Sequence, residues 1–245
     1  MIAQPARRLL APAITFLLLG LAWQWVAGRH GAILPSLLDV AGDLAARPAF
    51  YAANVWTTAS VALAGLVLGG LAAVLLAICF VQFRFLRDAI FPVALLLNVT
   101  PIVAIAPALI VVFGFNATPH VIVAAIAAFF PMLINAMAGL QAIDAEALEV
   151  FRALAASRLD IFLRLRLPSS LPHLFAGGRL AIVAAVVGAI VSEFTGTADG
   201  IGAAIVLATA WLNLVQMWAA IFCSAALSLA LIGLVDLAER LVVRR

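Results

Sequence analysis

Lysine is missing from this 245-residue chain, and all fourteen basic residues are arginines. That absence excludes a Walker A loop, whose Gly-Lys-Ser/Thr end grips nucleotide phosphates, so any ATP-driven work has to come from another chain. Charge of either sign is scarce, at 10% of residues, whereas 67% are hydrophobic and the mean hydropathy is +1.24. Soluble globular domains carry about 25% charged and about 45–50% apolar residues, so the composition describes an integral membrane protein. Cysteine is limited to Cys79 and Cys223, both inside apolar runs and without CxxC or Cys/His spacing. They read as small buried hydrophobes rather than a disulfide or a metal pair. Histidine is limited to His30, His120 and His173, which are far apart and near expected membrane surfaces, so each reads as an interfacial residue. With neither HExxH nor Gly-x-Ser-x-Gly present, no metal site and no catalytic residue is expected.

What the chain does have is long apolar runs. Stretches of about 20 residues, enough to cross a bilayer core, fall at roughly 9–27, 54–81, 89–113, 119–140, 175–194 and 212–237. Six spans put both termini on one side. The net charge of +3 and pI near 9.6 reflect arginines confined to the loops rather than a nucleic-acid surface. Arg7 and Arg8, Arg84 and Arg87, Arg152 through Arg179, and Arg240, Arg244 and Arg245 fall on one face, twelve in all, against Arg29 and Arg47 on the other. The positive-inside rule then makes both termini cytoplasmic. The first run, with Arg7 and Arg8 before it, also fits the description of a signal peptide. Trp23 and Trp25 fit an interfacial anchor, and no small-x-small cleavage pattern follows.

Residues 1–52 comprise the first span and an external segment broken by Pro35-Ser36 and Pro48, and residues 53–240 make a core bundle. Gly65 and Gly69 form a small-xxx-small pair suited to close helix approach in lipid. The whole chain, 1–245, reads as one membrane domain with a single cytoplasmic elaboration, the polar island 141–173. That island carries Asp144, Glu146, Glu149 and Asp160, and Arg152, Arg158, Arg164 and Arg166. Its apolar residues Leu148, Phe151, Leu154 and Ala155 recur at helical spacing, giving an amphipathic helix over 144–155. Ser157 followed by Asp160 is a capping-box signal for a second short helix, and Pro168 is expected to end it.

Inside the spans, ionisable groups are costly and by default functional. Glu193 falls near the outer end of the fifth span, close enough to the interface for hydration, and Arg179 near its inner end, where it can snorkel as an anchor. Asn98, Thr100 and Asn135 lie deeper, and Pro101 and Pro107 free backbone carbonyls in the third span. Together with Glu193 they are the candidates for a translocation path, against the alternative of interhelical hydrogen bonds. Thr195 to Gly202 reads as a re-entrant gate or a turn.

The spacing from Glu149 through Ala155 and Leu165 to Leu167-Pro168 resembles the EAA loop of binding-protein-dependent ABC importer permeases, Glu-Ala-Ala-x3-Gly-x9-Ile-x-Leu-Pro. Glu149 and Leu167-Pro168 match, whereas Val150, Phe151, Ala155 and Leu165 depart from the pattern. If position 155 is left-handed, alanine costs on the order of 1 kcal/mol relative to glycine. Further likeness to the nitrate, sulfonate and taurine branch lies in Leu34-Pro35-Ser36, Ala106-Pro107 to Phe113-Gly114-Phe115, Phe130-Pro131 to Gly139-Leu140, Gly178-Arg179-Leu180-Ala181, Ser192-Glu193 and Gly200-Ile201-Gly202.

The resemblance implies an all-α membrane protein of the type I importer permease fold, about six transmembrane helices with a cytoplasmic coupling-helix loop. It further implies a homodimer in a bacterial inner membrane, two cytosolic ATPase subunits that bind ATP and Mg, and an external solute-binding protein. No cofactor is then expected in this chain. Glu149 and Arg152 would supply charged contacts to the ATPase and Leu154, Phe162 and Leu165 apolar anchors, on a loop shaped by Ala155, Ser157, Asp160, Leu167 and Pro168. The solute would be a sulfonate, nitrate, taurine or a vitamin precursor, with Phe113-Gly114-Phe115 leaning toward the last. An ion-gradient-driven transporter, the alternative, calls for inverted repeats and paired mid-membrane acids, and neither is seen in the sequence.

Overall fold

The structure is a computed structural model that describes residues 4–31 and 33–243, with the side chains of residues 4–9 left out of that description. The side chains of Arg7 and Arg8, and the whole of Arg244 and Arg245, all counted above for topology, lie outside the described residues. The described elements are α1 (Gln4–Arg29), α2 (Leu37–Ala46), α3 (Pro48–Gln82), α4 (Arg84–Val99), α5 (Ile102–Phe113) and α6 (Ala117–Gln141), then α7 (Ala145–Ala153), α8 (Arg158–Ile161), a π-helical turn (Phe162–Arg166), α9 (Leu167–Glu193), α10 (Ile201–Ala210) and α11 (Leu214–Val242). Five of them are long and apolar enough to cross a membrane, or six if α4 and α5 count as one span.

The bundle is built on α3, α6 and α9, whose facing residues are mostly Ala and Gly. Without a hydrophobic drive between helices in lipid, close backbone approach is what holds such helices together. Gly65 and Gly69 allow it on α3: a Cβ at Gly65 would stand 2.5 Å from the Cβ of Ala124, and one at Gly69 would run into the Ala125 backbone. The core continues through Ala62, Ala128, Ala181, Ala185 and Ala189, all buried. A second apolar cluster, around Phe80, Leu133 and Leu140, closes the end of the bundle nearest the polar island.

Three sequence expectations change here. The third span is not one helix over 89–113: α4 and α5 meet at Thr100-Pro101 with a bend of 96°. The residue before a proline is pushed to extended backbone, and Thr100 sits at ψ 128°. Trp23 is not a free interfacial anchor, since its ring meets Trp218 edge-on at 4.5 Å and its Nε1 donates to the Pro35 carbonyl. Trp25, in contrast, stays exposed with the Arg29 guanidinium 3.8 Å over its ring. Finally, the segment between the last two long helices holds a ten-residue helix, α10, directly after the glycine-rich turn.

Candidate functional site

At one end of the bundle, the island folds as two short helices hung between α6 and α9. Asp144 caps α7, its Oδ1 accepting from the Glu146 amide at 3.1 Å. At the other end of α7, the Ala156 amide donates to the Phe151 carbonyl and the Ala155 amide to that of Arg152, both at 3.0 Å. These two bonds with a left-handed residue between them are a Schellman turn, and Ala155 is that residue, at φ 52°. The position where the resembled motif has glycine therefore does adopt the conformation that glycine favours, and alanine holds it at a cost of roughly 1–2 kcal/mol.

Ser157 then caps α8: its Oγ accepts from the Asp160 amide at 3.1 Å and donates to Asp160 Oδ2 at 2.5 Å. The hydroxyl, with Arg164 nearby, holds the Asp160 carboxyl below its ordinary range. Pro168 does not stop this helix. The chain passes through the π-helical turn at Phe162–Arg166 and continues into α9, where Pro168 occupies the first turn. A proline is tolerated there because its nitrogen has no hydrogen to give, and the wider turn absorbs the change. Arg166 fastens the junction by donating from Nη1 to the Leu140 carbonyl at 2.8 Å, in the last turn of α6.

The loop presents Glu149, Arg152 and Leu154 outward, the last 76% exposed. Val150, Leu159 and Leu163 join this exposed apolar set, which helical periodicity alone had not singled out. Phe162 differs from expectation: it packs inward on the second core cluster, so it roots the loop rather than projecting from it. Leu165 and Leu167 are half-buried and Pro168 is exposed.

At the far end of α9, the chemistry is of another kind. Glu193, 2% exposed, is buried rather than open to the surface. Both its oxygens lie 2.9 Å from the Thr58 hydroxyl, and Oε2 accepts from the Gly202 amide at 2.8 Å. Thr58 Oγ1 in turn accepts from the Ile201 amide, and Asn54 Oδ1 from the Gly200 amide, both at 2.8 Å. A helix start leaves its first amides without internal partners, and here α10 has all three capped by side chains of α3 and α9. Gly200 is suited to this turn by its φ of 109°, and a Cβ at either Gly200 or Gly202 would strike the Glu193 side chain.

The expected path residues are not brought together. Asn98 and Thr100 are exposed at the α4–α5 break, where Thr100 donates to the Leu96 carbonyl. Asn135 donates to the Pro131 carbonyl at 2.8 Å within α6 and packs against Gly177 of α9. Arg179 does not snorkel free: it pairs with Asp236 and Glu239 of α11. His120 is buried at the start of α6, with Nδ1 3.0 Å from Ser192 Oγ. The residues that do gather around Glu193 are Asn54, Thr58, His120 and Ser192. A polar residue near the end of an apolar span was the available signal for each.

Three comparisons place this geometry among known proteins. Over 238 residues the chain is 34% identical to the riboflavin transport system permease protein of Chloroflexus aurantiacus, covering 94% of this chain and 88% of that one. It is 28% identical over 196 residues to the formylaminopyrimidine transport permease protein of Halalkalibacterium halodurans, covering 79% and 78% of the two chains. Its fold is similar to that of the inward-facing MetNI methionine ABC transporter, with a TM-score of 0.68 at 18% identity over 78% of this chain and 95% of that one. A family model matches residues 65–245, from the tight α3–α6 contact through both ends of α9, and the chain thus belongs to the binding-protein-dependent transport system inner membrane components.

Proposed function

We propose that this permease imports an uncharged aromatic heterocycle, flavin-like or aminopyrimidine-like, and that ATP is hydrolysed by separate subunits seated on the α7–α8 loop. The observation that carries the coupling is mechanical. From Arg158 the helix runs through the π-helical turn and α9 to Glu193, so a displacement of the loop is delivered to the α10 cap as a rigid-body motion. The exposed residues Glu149, Arg152 and Leu154 supply the docking contacts. Arg84 and Arg87 after α3, Arg164 and Arg166 before α9 and Arg240 late in α11 lie on the loop side, which supports a cytoplasmic loop and cytoplasmic termini. A second copy of the chain completes the path, and an external binding protein delivers the solute to the α10 side. The heterocycle class rests on the likeness to the riboflavin and formylaminopyrimidine permeases.

The test is reconstitution of the chain with the ATPase and binding protein encoded beside it. ATP-dependent uptake of riboflavin into proteoliposomes is expected, with no uptake of nitrate or taurine. Glu149→Ala with Leu154→Ala should release the ATPase and stop uptake; intact assembly and transport in that variant would remove the loop as the coupling element. Uptake that ignores ATP and collapses with the proton gradient would favour an ion-driven transporter instead.

A further inference from the structure

Beside the α10 cap lies a cavity of 420 Å³, walled by the start of α6, the end of α9, the turn at 196–199 and Phe115. That size lies within the range of small-molecule sites, about 300–1,000 Å³. The hydrogen-bond bookkeeping of its wall defines what it can hold. Ser192 Oγ donates its single proton to the Ala189 carbonyl at 2.9 Å. With the Ser192 proton on the Ala189 carbonyl, the imidazole Nδ1 is the donor in its 3.0 Å contact with Ser192, and Nε2 is left as a lone-pair acceptor. His120 is 4% exposed, and Nε2 has no partner among the described residues, so the lone pair is presented to the cavity it lines.

Thr57 gives its hydroxyl to the Ala53 carbonyl and Thr197 its hydroxyl to that of Asp199, so both are engaged, and Asn116 gives one of its two amide hydrogens to the Phe113 carbonyl. Beside the second Asn116 N–H, the wall offers His120 Nε2 and the exposed Asp199 carboxylate as acceptors, together with the 82% exposed ring of Phe115. Such acceptors ask for a ligand with N–H or O–H donors, and the Asp199 carboxylate repels an anion. An aromatic face asks for a flat ring.

We propose that this cavity is a binding subsite for a planar, N–H-bearing solute, with Phe115 covering its ring and His120 and Asp199 accepting its hydrogens. The inference rests on the import reading above and sharpens its substrate, by placing selection in the permease as well as in the binding protein.

The permease–ATPase complex in lipid nanodiscs, without binding protein, is titrated into riboflavin and the quenching of flavin fluorescence followed. Saturable binding is expected in the unmodified complex. Phe115→Ala and His120→Ala should each weaken it about tenfold, the scale of one aromatic contact or one buried hydrogen bond. Asp199→Asn should weaken it less, and nitrate and taurine should not compete. Co-purification of the ATPase certifies each variant as assembled; Phe115 and Asp199 are exposed, so those two hold the test even if His120→Ala fails to fold. Unchanged affinity in Phe115→Ala and Asp199→Asn, or no binding to the unmodified complex, overturns the subsite. ATP-dependent riboflavin uptake by the same complex would then leave the import reading standing, whereas uptake of nitrate in place of riboflavin would overturn both.

Discussion

The two ends of α9 are held by opposite means. At the loop end, the caps of α7 and α8 come from neighbours in sequence: Ser157 with Asp160, Asp144 with Glu146, Ala156 with Phe151. At the far end, the bonds cross 135 to 146 positions, joining Thr58 to Glu193, Thr58 to Ile201 and Asn54 to Gly200. The first end is exposed and apolar patches remain on it; at the second, the bonded Glu193 side chain is buried. A local cap keeps its shape while the whole unit moves, which suits a part to be gripped. A cap assembled from three helices exists only in one arrangement of them, which suits a part that reports their arrangement.

The comparison breaks most completely at Glu193. Replacing it with leucine leaves the Thr58 hydroxyl and the Gly202 amide buried without an acceptor, at about 1–3 kcal/mol for each group. The thermal midpoint in detergent should fall by several degrees, and Glu193→Gln, which keeps one acceptor oxygen, should fall less. Co-purification of the ATPase should survive in Glu193→Gln, because the loop end does not share these bonds. An unchanged midpoint in Glu193→Leu would mean that the far end is not a fixed clamp.

Next in size is Gly69→Ala, which sets a Cβ against the Ala125 backbone at the α3–α6 contact. Over-packing of that kind costs about 1–3 kcal/mol, read as a lower midpoint with the loop unaffected. If Gly69→Ala is neutral, the approach of α3 to α6 is looser than the fold requires.

What the sequence made legible follows the same division. The island, its two helices and the Ser157 cap rest on residues within a few positions of one another, where capping and helix periodicity operate, whereas the left-handed demand at Ala155 came from the glycine of the resembled motif. The fate of Pro168 was misread because a proline ends one helix or begins the next, and only the π-helical turn decides which. The bend at Thr100-Pro101 was foreshadowed by the proline but not its 96° extent. Glu193 was noticed for its charge, yet its partners Asn54 and Thr58 lie on another helix, and no spacing rule ties them to it. The contact of His120 was invisible for the same reason, since its partner Ser192 is 72 positions away.

A smaller change sharpens the loop end. Ala155→Gly removes the Cβ from a left-handed residue and should stabilise the turn by about 1 kcal/mol, seen as slower hydrogen exchange at the Ala156 amide. Ala155→Val, branched at the same φ, should speed that exchange. If glycine and valine behave alike, the Schellman turn is not the hinge that sets the angle between α7 and α8.

The smallest effect belongs to the Ser157–Asp160 cap, and pH separates it from everything at the far end. The Ser157 hydroxyl, then Arg164, holds the Asp160 carboxyl below its ordinary value. A group whose folded value is depressed adds stability that is present above its unfolded value and is lost as pH falls through the folded one. The cap should therefore be intact at neutral pH and loosen only in acid, below the usual carboxylate range. Hydrogen exchange at the Asp160 amide should quicken over that window, and in Ser157→Ala it should be quick already at neutral pH with little further dependence. The far end offers a control within the same sample, since the Gly202 amide, bonded to an enclosed carboxylate that shares no neighbour with Asp160, should not follow the Ser157 substitution. If both amides respond together to Ser157→Ala, the two ends of α9 are coupled at rest, and the local cap cannot be independent of the assembled one.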